Sequence, residues 1–131
     1  MTSTPSTPAP LDDRGLPAGY SFKPDWEITP REVKTLLDGH ESFLFIDCRN
    51  QNEYDLTRID GTRLIPLPQL AANLAELRQH TSEKIVVHCK SGGRSLQFAQ
   101  LLRQNGFKDV RSMAGGILLW NRDINPGAPL Y

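Results

Sequence analysis

The segment Val87-His88-Cys89-Lys90-Ser91-Gly92-Gly93-Arg94-Ser95 gathers the residue types that make a thiol reactive. A cysteine ends an apolar run, two glycines follow it, and Lys90 and Arg94 stand on either side of them. The thiolate is the nucleophilic form, and it is favoured where loop amides, the positive end of a helix and nearby cations converge on sulfur. Each pKa unit of depression corresponds to about 1.4 kcal/mol of thiolate preference. Gly92 and Gly93 permit the backbone angles that turn successive N–H groups toward one anion. A free thiolate, a persulfide or a thiosulfate fits such a loop. The plainer alternative, a small buried side chain at a tight turn, is weighed down by the two glycines, the two cations and the strand-to-helix placement. The candidate site is Cys89 as nucleophile, with Lys90, Ser91, Gly92, Gly93, Arg94 and Ser95 as its anion-binding loop.

Two other functions compete. A cysteine phosphatase or arsenate reductase closes an Arg around an oxyanion after Cys and five residues. Only four residues separate Cys89 from Arg94, and Ser95 occupies the place of that Arg. The smaller ring suits one sulfur atom on Cys89 better than a tetrahedral oxyanion. The third reading is a non-catalytic regulatory domain whose loop merely recognises a partner.

The elements that would position the loop are legible from periodicity. Thr29, Pro30 and Glu32 form a capping-box start, Val33, Leu36 and Leu37 supply an apolar helix face, and Gly39 stops it. Phe43 to Ile46 and Ile85 to Val87 are apolar throughout, as strands covered on both faces are. A short strand is expected around Leu64 and Ile65. Leu67, Leu70, Ala71, Leu74 and Leu77 recur at helical spacing, as do Phe98, Ala99, Leu101 and Leu102 before Asn105-Gly106. Val110 to Met113 reads as a last strand and Ile117 to Trp120 as the start of a closing helix. Strand and helix alternate without hairpin signals, which predicts one α/β layered domain on a parallel sheet, its ligand beyond the strand carboxyl ends.

The chain has 131 residues, enough for one core, and its 15 basic and 15 acidic residues cancel. No long-range field draws it onto nucleic acid or an anionic membrane, so neither is an expected partner. The first ten residues lack the positive start and apolar run of a secretory signal, and no apolar run approaches the length of about 20 residues that spans a bilayer. Two cysteines, Cys48 and Cys89, suit a reducing compartment, and a cytoplasmic protein is expected. Residues 1–24 hold half of the ten prolines and read as a flexible arm before a domain over 25–131, with Tyr20, Phe22 and Trp26 available for docking. His, Cys and carboxylates are nowhere spaced as a zinc site requires, so no metal and no cofactor is expected.

From about Glu27 to Trp120 the chain resembles one rhodanese domain. Ile46-Asp47-Cys48-Arg49 with Glu53-Tyr54 is similar to that family's Asp-Val-Arg and Glu-Tyr segment, and Ile59-Asp60-Gly61 to Ile65-Pro66 to its Ile-x-Gly and Ile-Pro segment. The Cys89 loop, Gly115-Gly116-Ile117 and Trp120 complete the order, and Asn125-Pro126 to Pro129-Leu130-Tyr131 resembles the ending of rhodanese domains fused behind adenylyltransferases of molybdopterin and thiamine synthesis. The resemblance implies a five-stranded parallel sheet covered by helices on both faces, and a sulfurtransferase in which Cys89 takes sulfane sulfur as a persulfide and passes it on. It implies a small sulfur donor, thiosulfate or a persulfide, and a sulfur-carrier protein, a desulfurase or an adenylyltransferase as protein partners. By carry-over, Arg49 and Lys90 help hold the anionic donor, and Asp47 orients the loop or pairs with Arg49. Cys48 stands where Val is common, and Arg58 where His usually follows.

Cys48 has two readings: a partner of Cys89, receiving sulfur or forming a disulfide, or an inert buried thiol, even one facing the other side of the sheet. His88 precedes Cys89 on a strand, so it points to the opposite face and reads as a packed, hydrogen-bonded side chain rather than a base.

Overall fold

Periodicity in the sequence translates into a sheet whose two faces are separately covered. The computed structural model describes residues 8–129. The strands are β1 (Glu27–Ile28), β2 (Leu44–Asp47), β3 (Arg63–Leu64), β4 (Lys84–His88) and β5 (Asp109–Met113), and the helices are α1 (Pro30–Asp38), α2 (Gln51–Leu56), α3 (Leu70–Leu77), α4 (Gly93–Gln104) and α5 (Gly116–Asp123). The strands lie in the order β1-β5-β4-β2-β3, and every neighbouring pair is parallel. The expected five-stranded α/β sheet with helices on both faces is therefore the fold.

Alternation along β2 and β4 decides which side each residue serves. Ile46, Ile85 and Val87 face one layer, packed with Leu70 and Leu77 of α3 and Phe98, Ala99 and Leu102 of α4. Phe45 and Val86 face the other, with Val33 of α1 and Ile117 and Trp120 of α5. Helix α1 begins as its sequence implies: the Thr29 hydroxyl accepts the Glu32 N–H and the Glu32 carboxylate accepts the Thr29 N–H, both at 3.2 Å.

Strand β1 and helix α2 escape the periodicity reading. Two residues show no period, and α2 buries none of its side chains. What holds α2 is a buried ion pair. Asp47 and Arg49 have no exposed surface. The Arg49 Nε donates to the Asp47 carboxylate at 3.0 and 3.2 Å and its Nη2 at 2.8 Å; the remaining donors reach the carbonyls of Glu53 at 3.3 Å and Thr57 at 2.6 Å. Arg49 thus clamps the middle and the C-terminal end of α2 to the end of β2.

Residues 1–7 lie outside the described residues, as do Leu130 and Tyr131 of the C-terminal motif. The rest of the segment read as a flexible arm, residues 8–24, instead lies on the domain. Leu16 is buried against Ala114 and Leu119, flanked by Leu11, Tyr20 and Phe22. A few well-placed apolar residues suffice, because proline lowers the entropy that ordering removes.

Exchanging Arg49 for Met keeps length but leaves Asp47 buried without its counter-charge. Arg49→Met is expected to lose about 3–5 kcal/mol in denaturant unfolding, the usual penalty for breaking a buried pair from one side. A loss under about 1 kcal/mol would mean that the pair holds nothing.

Candidate active site

Cys89 follows β4 directly, and helix α4 starts at Gly93, so the chain must reverse within four residues. Gly92 makes this possible with φ +118°, a conformation that side chains beyond glycine rarely adopt. Gly116 supports the turn from below: at φ +61°, a Cβ there would collide with the carbonyl oxygens of Cys89 and Lys90. Both carbonyls are occupied in return, accepting the N–H of Ile117 at 2.9 Å and of Leu118 at 3.1 Å. The loop is therefore strapped to α5.

The sulfur of Cys89 is enclosed, with 1% of the residue exposed. It accepts the Gly92 N–H at 3.1 Å and the Ser95 N–H at 3.4 Å, and the Ser95 hydroxyl lies at 3.3 Å. Ser112 on β5 is 2.6 Å from the Ser95 hydroxyl. With Ser112 donating to Ser95, the single Ser95 proton is left for the sulfur, whose charged form is a stronger acceptor than a carbonyl. The Cys48 thiol, also buried and in the same apolar layer, is the largest influence on both groups. Together with the Ser95 and Gly92 donors, and against the opposing effect of burial, it brings the Cys89 thiol down from 9.0 to about 4. Cys48 is pushed up by Cys89, by burial and by the neighbouring negative charges. At neutral pH the pair is one thiolate and one thiol.

The cations contribute less than their proximity in sequence suggests. Lys90 is exposed. Arg94 is gripped by Glu53 through two parallel hydrogen bonds, Nη1 to Oε1 at 2.7 Å and Nη2 to Oε2 at 2.9 Å. Arg94 holds the Glu53 carboxyl down at about 2 and is itself pushed further up. Glu53, which the Glu-Tyr motif match leaves without a role at the site, carries a further signal: Asn50 and Glu53 stand at capping-box spacing, and the Glu53 carboxylate accepts the Asn50 N–H at 3.1 Å.

Asp47 and Arg49 lie across the sheet from the sulfur. Their expected pairing is present, but Arg49 spends its donors on Asp47 and α2 and does not face the loop. Its place in donor binding is thereby corrected: alternation along β2 turns residues 47 and 49 away from the face that carries Cys89. His88 shares that face, with its ring 5.4 Å from Phe45 and Nδ1 3.3 Å from the Cys89 carbonyl. Burial lowers its pKa, so the ring is neutral, and Nε2 has no hydrogen-bond partner, with Asp47 at 3.5 Å. Among the described residues, no group of three or more His, Cys, Asp or Glu side chains could hold a metal ion.

The arm completes the rim. Tyr20 donates to the buried Glu27 carboxylate at 2.5 Å and accepts the Gly115 N–H at 3.3 Å, beside Gly92. Two hollows meet at Ser91. One of about 280 Å³ runs between Tyr20, Lys23 and Leu96; the other, of about 420 Å³, is apolar and bounded by Pro17, Leu118, Leu119 and Arg122.

Comparison with known proteins agrees with this geometry. Residues 29–123 match the family described as Rhodanese-like domain. The chain belongs to that family. It is 32% identical over 130 residues to the adenylyltransferase and sulfurtransferase MOCS3-1 of Zea mays, covering 95% of this chain and 28% of that protein. It is 36% identical over 106 residues to the probable adenylyltransferase/sulfurtransferase MoeZ of Mycobacterium tuberculosis, covering 79% and 26%. The chain thus spans little more than a quarter of these curated relatives. The human single-domain sulfurtransferase TSTD1 superposes with a TM-score of 0.63 at 26% identity, over 74% of this chain and 96% of that one. Rhodanese-like relatives of this chain therefore include sulfurtransferases.

Thiolate absorbance should titrate with a midpoint near pH 4, present above it and lost as pH falls through it. Removing the hydroxyl in Ser95→Ala should raise that midpoint by about 1 to 2 units, the worth of one hydrogen bond to a charged acceptor. An unmoved midpoint would show that amides and Cys48 suffice without Ser95.

Proposed function

We propose that this chain is a sulfurtransferase in which the Cys89 thiolate takes sulfane sulfur as a persulfide and delivers it to a thiophilic acceptor. The observation that carries this reading is the enclosure of the Cys89 sulfur by the Gly92 and Ser95 N–H groups and the Ser95 hydroxyl. Attack on the outer sulfur of thiosulfate forms the Cys89 S–S bond and breaks the bond to sulfite, which leaves with the electron pair. The terminal persulfide sulfur then lies among loop amides that stabilise its charge. A thiophile attacks that sulfur, and Cys89 departs as the thiolate its surroundings already favour.

Within this reading Lys90, exposed at the mouth, attracts an anionic donor, and Ser91, Gly92 and Gly93 shape the opening. Arg94, neutralised by Glu53, fixes the first turn of α4 rather than binding the donor. Its engagement also argues against phosphatase chemistry, which needs an Arg free to close on an oxyanion. A sulfur-carrier protein, a desulfurase or an adenylyltransferase is the protein partner in this reading, and the relatives that join such a unit to an adenylyltransferase support the last of these. Both cysteines are unpaired, which suits a reducing cytoplasm.

Intact-mass measurement soon after mixing with thiosulfate or a cysteine persulfide, without reductant, tests the reading. A gain of about 32 Da in the wild type and none in Cys89→Ser is expected. A protein that gains nothing from either donor would be a binding domain instead.

A further inference from the structure

Cys48 is a buried nucleophile for which the transfer reaction has no use, and its position is set by the sheet. Strands β2 and β4 pair in register with Asp47 opposite His88, and the Cys48 N–H donates to the His88 carbonyl at 3.0 Å. The next residues in register are Cys48 and Cys89. Both belong to the layer that contains Ile46 and Val87, so both side chains emerge on the same face. Neighbouring strands lie about 4.8 Å apart, inside the Cα separation of about 4.4–6.8 Å that a disulfide bridges. The hollow around the pair is closed, with each cysteine 1% exposed, so an external thiol meets the inner sulfur of Cys89 less readily than Cys48 does. The loop donors reach that sulfur from α4 and its start, whereas Cys48 lies in the same layer at the end of β2.

We propose that Cys48 is a resolving thiol that discharges the Cys89 persulfide when no acceptor claims it, releasing hydrosulfide and closing a Cys48–Cys89 disulfide. The inference rests on the persulfide reading above. The Cys48 sulfur attacks the inner sulfur of the persulfide, forming the bond between the two side chains as the bond to the terminal sulfur breaks. The terminal sulfur, already anionic, takes the electron pair, and the Cys48 proton goes to it, so that one hydrosulfide ion departs. The sulfane sulfur is reduced to sulfide while the two cysteines are oxidised to cystine, with no external oxidant. A cellular dithiol that reduces the disulfide restores the thiolate. Attack on the outer sulfur, as by an acceptor, transfers sulfur instead, so the two outcomes differ in which sulfur is struck.

The test follows the persulfide after an anaerobic pulse of thiosulfate and removal of the donor, by intact mass and sulfide assay, in the wild type, Cys48→Ala and Cys48→Val. In the wild type the adduct of about 32 Da should give way to a species about 2 Da below the unmodified chain, with about one hydrosulfide per chain and a cross-linked Cys48–Cys89 peptide. In both variants the adduct should persist at least about tenfold longer, since the intramolecular thiol is gone. Valine fills the site if alanine unfolds the core. Equal adduct lifetimes in wild type and variants, or covalent dimers in place of the internal bridge, would overturn the resolving role and leave the sulfurtransferase reading intact. Neither adduct nor sulfide nor bridge in any protein would overturn both.

Discussion

The ion pair of Asp47 and Arg49 constrains everything at this end of the sheet. Removing both charges from water costs several kcal/mol per ion, and only a geometry that uses most donors and acceptors offsets it. Here the carboxylate takes three hydrogen bonds from the guanidinium and one from the Arg49 N–H, and the remaining guanidinium donors go to two carbonyls of α2 and its end. Helix α2 has no buried side chain to anchor it, so its position is the position of Arg49. Glu53 is carried on that helix and fixes Arg94 in the first turn of α4. A chain of contacts thus runs from the hidden face of β2 to the helix start that supplies amides to Cys89.

Uncharged hydrogen-bond donors, not side-chain cations, dominate the electrostatics of the sulfur. An exposed Lys90 acts through water, where attraction over several ångströms is weak and further screened by salt. Arg94 is matched by a carboxylate. The Gly92 and Ser95 amides, in contrast, are in contact with the sulfur, cannot move away, and have shed their water on folding. Ser112 adds to this at one remove, its hydroxyl holding that of Ser95 in place beside the sulfur. The result is a thiolate stabilised by a neutral shell, which leaves room for a second negative atom without a tightly bound counter-ion to displace.

Much of this could be read from residue order. The loop from Cys89 to Ser95, the long apolar strands β2 and β4, the capping box at Thr29 and the faces of α3 and α4 all carry periodic or local signals, because each element buries its own stripe. Strand β1 carries none: two residues gain their place only by pairing Glu27 with Ser112 and Ile28 with Met113. Helix α2 buries no side chain, leaves its one aliphatic residue, Leu56, exposed, and is held by a side chain outside it. A share of Arg49 in donor binding is what the rhodanese resemblance implies; which face it serves depends on register with the Cys89 strand. The docking of residues 8–24 turns on single side chains such as Leu16, too sparse to form a pattern.

Period-two alternation divides the labour at the sheet end. Asp47, Arg49 and His88 fall on one face and do structural work, while Cys48 and Cys89 fall on the other and hold the reactive sulfur. A slip of β2 by one residue against β4 would bury the Cys48 thiol among α1 and α5 and send the ion pair into the apolar layer of α3 and α4. Such a slip is therefore penalised twice, by an unpaired charge and by a misplaced core. The register that the ion pair enforces is the same register that sets Cys48 beside Cys89. A residue at position 48 consequently shares the layer of the sulfur: a valine would only pack there, and a thiol carries a nucleophile of its own.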